Sequence, residues 1–241
     1  MKKEERHQIK RDDLATALGS ASDYFGSHRR TVVVWGAAAA VVLIAGLAGR
    51  SWWQEREARS ARGLGELIRT YNASITATLE DLQTADPNRV TFTSTEERDR
   101  KVIEQADGIL KEGGSGMAIA GASLYKGMAQ ADLRQDDAAR QSFEEVLRRD
   151  PRGVFGQTAR LRLARLLEQQ GKSAEALAQY QAIADDASGL LPREEGLVGM
   201  ARCQASLGKP DEARKLYQRI VTEFPNSEYA GEARNHVAGA S

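Results

Sequence analysis

The sequence predicts an all-α chain, with one N-terminal transmembrane helix followed by an α-solenoid of helical hairpins. Three observations carry that prediction. An uncharged apolar run extends from Thr31 to Gly49. Ala139, Phe143 and Val146 return as Ala176, Tyr180 and Ile183, and again as Ala213, Tyr217 and Ile220, each time after 37 residues. Gly127, Ala164 and Ala201 keep the same interval, and Pro151 and Pro225 close the first and third copies, with Ser188 at the matching point of the second. Self-similarity at such a period marks a stacked array, in which each unit buries its apolar face only against its neighbours. Such arrays bind other proteins far more often than they do chemistry.

The elements follow in chain order. A helix over Thr31 to Gly49 would be roughly 28 Å long at 1.5 Å per residue, close to the hydrocarbon thickness of a bilayer. His28, Arg29 and Arg30 flank it on one side, and Arg50, Trp52 and Trp53 on the other. Charges and indoles at those places suit the two headgroup regions. Gly46-Leu47-Ala48 also has the small-x-small form of a signal-peptide cleavage site. The length of the run, the polar tail before it and the tryptophan pair after it favour an anchor. Orientation is left open by charge: the tail has seven cations, of which three lie within 20 residues of the run, and Arg50, Arg56, Arg59, Arg62 and Arg69 follow it.

Beyond the run, Leu64, Leu67, Ile68, Tyr71, Ile75, Leu79 and Leu82 keep helical spacing, which predicts a stalk helix that continues to Asp86-Pro87-Asn88. Ser94 and Glu97 have capping-box spacing. The helix they open carries Val102, Ala106 and Ile109, which lie 37 residues before Ala139, Phe143 and Val146. It therefore reads as a degenerate repeat half that ends at Gly113-Gly114-Ser115-Gly116, a connector without the lysine and hydroxyl of a phosphate loop. Three clear repeats follow, each of two helices, with small residues such as Ala164 and Ala176 where the backbones cross. Pro225 to Val237 repeats the start of the second copy and is expected to form a lone capping helix. The predicted division is a tail over 1–30, a transmembrane helix over 31–49, a stalk with a degenerate repeat over 50–112, and three repeats with their cap over 117–241.

Leu163, Ala164, Leu167, Gly171, Ala176 and Tyr180, with Gly208, Ala213, Tyr217 and Pro225 in the next copy, resemble the consensus of the tetratricopeptide repeat. Lys126 and Gln130 depart from it in the first copy, and the period exceeds the family's usual one. The resemblance implies that the first helices line a concave groove, with inward positions at Leu124, Met128, Leu161, Arg165, Val198 and Arg202. Rows of aliphatic and guanidinium groups suit a peptide of acidic character, and the alternative is that the arginines are simply a solvated face. The lysines and asparagines of the family's carboxylate clamp are missing from these positions.

The whole architecture, from polar tail through Trp-Trp exit and stalk to repeats, resembles the ancillary subunit of the bacterial SecYEG translocon, the YfgM-type family. That resemblance implies a single-pass protein of the bacterial inner membrane, with a cytoplasmic N-terminus and periplasmic repeats. It implies translocon subunits, periplasmic folding factors or secretory chains as partners. The alternative is a soluble or differently partnered periplasmic scaffold for envelope assembly or cell division.

Signals for chemistry are few. His7, His28 and His236 are too scattered for a zinc site or a triad, so no catalytic residue, metal or cofactor is expected. The 34 basic and 34 acidic residues cancel, which disfavours nucleic acid as a partner. Cys203, the single cysteine, excludes an intrachain disulfide and reads as a packed thiol.

Overall fold

The computed structural model of the chain describes residues 29–75, 91–187 and 189–239. The expected features at His7, His28, Leu79, Leu82, Asp86-Pro87-Asn88 and Ser188 lie outside those residues. Among the described residues the helices are α1 (Arg29–Tyr71), α2 (Thr95–Glu112), α3 (Gly116–Asp132), α4 (Asp136–Arg149), α5 (Val154–Gln169), α6 (Ser173–Ala184), α7 (Arg193–Ser206), α8 (Pro210–Glu223) and α9 (Ala230–Ala238). Two short strands, β1 (Ser74–Ile75) and β2 (Thr91–Phe92), pair in parallel, Ser74 opposite Thr91 and Ile75 opposite Phe92. The chain divides into two compact units, residues 1–55 and 56–241.

In the first unit, the run has the character of a membrane helix. Its large apolar side chains, Val33 to Leu47, are all exposed, Trp35 most of all at 72%. A soluble helix would have to bury such a surface, and a lipid-facing helix leaves it open. This is the helix among the described residues that is long and apolar enough to cross a membrane, with a mean hydropathy of 1.8 over its best window.

In the second unit, α1 ends at Tyr71, short of the expected stop. The Asn72 amide donates to the Ile68 carbonyl at 2.9 Å and the chain turns. Ile75, expected on the helix face, lies instead in β1. Ser94 caps α2 by accepting the Glu97 NH at 3.1 Å, as its spacing predicts. The reciprocal half differs: the Glu97 carboxylate accepts the NH and hydroxyl of Thr93, not the NH of Ser94. The Gly113-Gly114 connector is held by close approach. A Cβ on Gly113 would run into the Arg56 guanidinium, and one on Gly114 into the Ser60 side chain.

Successive helices then pack as antiparallel neighbours, and the repeat positions form the core. Ala139, Phe143 and Val146, Ala176, Tyr180 and Ile183, and Ala213, Tyr217 and Ile220 are all buried. Val102, Ala106 and Ile109 are buried at the same register, and they pack with Leu64 and Leu67 of α1. The chain from α1 to α8 therefore forms helical hairpins, α1 with α2, α3 with α4, α5 with α6 and α7 with α8. The closing helix α9 begins at Ala230, later than expected, because Phe224 to Tyr229 forms turns in which the Ser227 NH donates to Phe224 O. Ala233 of α9 completes the core cluster of α7 and α8.

Candidate functional site

The hairpins α3/α4, α5/α6 and α7/α8 turn the chain in the same way. The NH of Arg134 donates to Ala131 O and that of Gln135 to Gln130 O, and the same pair of bonds recurs at Gly171 and Lys172, and at Gly208 and Lys209. The turn needs one residue in the left-handed region, and the three lie 37 apart: Arg134 at φ 61°, Gly171 at 72° and Gly208 at 73°. Glycine takes that conformation freely, whereas a residue with a Cβ gives up about 1 to 2 kcal/mol. The first repeat thus holds an arginine in a strained position where its sisters hold glycine.

Between the first helices α5 and α7, the junction is closed by charge. Arg202 donates from Nε and Nη2 to the two oxygens of Glu168, at 2.8 and 3.2 Å. The buried Tyr180 hydroxyl donates to Glu168 at 2.7 Å. A second bridge runs from Arg165 to Glu195 at 2.8 Å, and the Tyr229 hydroxyl donates to the same carboxylate. Burial pushes the Glu168 and Glu195 carboxyls up, but the bonds from Arg202 and Tyr180, and from Tyr229 and Arg165, outweigh it and hold both below the ordinary range.

Between α3 and α5, one repeat earlier, the same register lacks these partners. Arg165 stands where Arg202 stands in the next junction, but Ala131 replaces Glu168 and Phe143 replaces Tyr180. A cleft of about 390 Å³ opens there, lined by Tyr71, Met128, Ala131, Asp132, Arg134, Phe143, Arg162, Arg165, Leu166 and Gln169. Arg134 and Arg162 are exposed, and among the described residues neither makes an ion pair. Asp132 is the one acid of the lining; it accepts from the Tyr71 hydroxyl at 3.4 Å and lies 3.8 Å from Arg98. The Arg98 guanidinium rests over the Tyr71 ring at 5.1 Å and bonds the buried Asp99. Burial pushes the Asp99 carboxyl up, against the pull of Arg98.

Of the groove residues expected from sequence, Arg165 and Met128 line this cleft, Met128 as a largely buried member of the same core cluster as Leu124. Leu124 and Val198 are core residues, 3% and 1% exposed, because each first helix is flanked by neighbours on both sides. Leu161 is half-buried, and Arg202 is tied to Glu168. Arg134, Arg162 and Tyr71 were not among the expected residues. The missed signal was in the register: an arginine at the Gly171 and Gly208 position, and an alanine at the Glu168 position.

The other reactive groups lie away from the cleft. Cys203 is buried, and burial pushes its thiol up to about 11. The His236 ring stacks on Tyr217 at 4.2 Å. Among the described residues no cluster of three or more histidine, cysteine or acidic side chains could hold a metal ion.

Three comparisons set this chain among known proteins. A family described as a tetratricopeptide repeat-like domain matches residues 25–237. No curated protein matches the sequence. A solved structure titled "MamA RS-1 ArsTM double mutant" superposes with a TM-score of 0.47 at 12% identity, over 73% of this chain and 81% of that one.

Proposed function

Because this chain belongs to the tetratricopeptide repeat-like domain family, we propose that it is a membrane-anchored protein-interaction scaffold, an ancillary adaptor beside the translocon that links secretion to periplasmic folding factors. Repeats of this family are as a rule non-catalytic binding domains, and binding is what the uncovered cleft on the first-helix face suits. The observation that carries the reading is one helix displaying every large apolar side chain from Val33 to Leu47, in a chain whose remainder is a repeat array.

In this reading, residues 1–30 are a cytoplasmic tail and 31–49 the span of the bacterial inner membrane. Residues 50–112 form the stalk with its degenerate repeat, and 117–241 form the periplasmic repeats. The resemblance to the YfgM-type subunit supports that orientation. Translocon subunits, folding factors or secretory chains are the partners.

Photo-crosslinking in the cells that make the protein tests this. A crosslinking residue at Gln169, on the rim of the cleft, should capture translocon subunits, membrane-tethered folding factors or emerging secretory chains, identified by mass spectrometry. Capture of envelope-assembly or division proteins instead would overturn the translocon assignment. Capture of nothing from any exposed position of the first-helix face would overturn the scaffold reading itself.

A further inference from the structure

The two junctions between first helices differ by what one repeat supplies and the other withholds. In the closed junction, a glutamate at position 168 meets Arg202 and the Tyr180 hydroxyl. In the open one, Arg165 keeps the position of Arg202, but Ala131 and Phe143 remove both the carboxylate and the hydroxyl. The next repeat therefore displays the kind of group for which the first leaves room. Two further guanidiniums, Arg134 and Arg162, line the space without an ion-pair partner among the described residues. Arg134 is held there in the left-handed conformation that its sister repeats give to glycine. Backbone strain retained at one copy of a repeated turn points to a role for the side chain that imposes it.

We propose that this cleft is a carboxylate subsite, which receives a glutamate side chain from an acidic peptide segment in the place that Glu168 fills one repeat further on. The proposal rests on the reading of this face as a protein-binding surface and names the chemistry of its ligand. Arg134 and Arg162 provide the charge that Glu168 finds in Arg202, while Arg165 divides its donors between the incoming carboxylate and Glu195. Asp132 lies at the same rim and repels the ligand, but it is engaged by Tyr71 and Arg98. Met128 and Leu166, both largely buried in the core, form the apolar floor of the cleft. Guanidinium groups suit this task because their planar donors match the two oxygens of a carboxylate.

The test uses the full-length chain in nanodiscs and a fluorescein-labelled, amide-capped peptide of alternating glutamate and glycine, read by anisotropy against its glutamine twin. The glutamate peptide should bind at least roughly tenfold tighter than the glutamine twin. Two variants separate binding from folding. Arg134→Gly restores the residue of the sister turns, so it should raise the Tm while weakening the glutamate peptide roughly tenfold. Ala131→Glu supplies the missing carboxylate from within the chain and should abolish peptide binding with the fold retained. Equal binding of the two peptides, an unchanged affinity in Arg134→Gly, or tight binding by Ala131→Glu would each overturn the carboxylate subsite. A glutamine peptide with a free C-terminus that binds as tightly as the capped glutamate peptide would overturn the side-chain assignment. If partners are still captured from Gln169 when the glutamate peptide fails, the subsite falls and the scaffold stands.

Discussion

The α5–α7 junction and the α3–α5 junction share a turn and a 37-residue register, yet one is bridged by charge and the other is not. At the closed junction Glu168 and Glu195 answer Arg202 and Arg165, and two tyrosine hydroxyls complete the bonds. At the open one, Ala131 and Phe143 offer nothing to bond, and Arg134 and Arg162 are left facing the cleft. The difference teaches that in a repeat array the apolar register fixes the stack, while the polar residues between neighbouring first helices decide whether a junction is bridged by charge or left uncovered. Such side chains can change one repeat at a time, because each unit contacts only its neighbours.

The largest effect on this comparison should come from emptying the closed junction. Tyr180 fills the core with its ring and serves Glu168 with its hydroxyl, so Tyr180→Ala should lower stability by about 3 to 5 kcal/mol in urea unfolding. A loss below 1 kcal/mol, roughly the worth of the hydroxyl alone, would mean that the ring does not hold the stack together.

Overpacking comes next. Ala176 is fully buried at the crossing of α5 and α6, so Ala176→Leu should cost about 1 to 3 kcal/mol. An unchanged melting temperature would contradict the register. Arg134→Gly runs the opposite way, with a gain of about 1 kcal/mol from relief of the left-handed strain, while Gly171→Arg in the sister turn should lose a similar amount. Equal stability of all three chains would show that the turn tolerates a side chain without strain.

The smallest effect is in pH. Glu168 and Glu195 are held below the ordinary glutamate value of 4.5 by their bonded partners, after burial has pushed the other way. Their contribution is therefore complete above about pH 4.5 and fades as the pH falls through the lower folded values. Glu168→Gln should make the acid limb of the Tm profile shallower, and Ala131→Glu should make it steeper. A limb that neither variant changes would show that these carboxylates do not couple to folding.

The stack was legible in the sequence because burial alone writes it. The 37-residue interval named the residues that the structure buries, from Val102 to Ile220, and the Ser94 cap followed from its spacing. The end of α1 was not legible. Ile75 keeps helical spacing, yet strand pairing with Phe92 claims it after the Asn72 turn. The cleft was legible only in part. Of the residues with an inward register, Arg165 and Met128 line the cleft, while Leu124 and Val198 are covered by adjacent helices. Arg134, Ala131 and Phe143 matter through what the next repeat has in their place, so an apolar pattern passes over them.

The central claim is that the open junction, and not its closed twin, receives the partner. Gln169 and Ser206 occupy equivalent positions 37 residues apart, both exposed, one beside each junction. Photo-crosslinking from each in the same cells tests the claim most directly. Adducts from Gln169 with few or none from Ser206 are the predicted result. Equal capture from both, or capture from Ser206 alone, would contradict it.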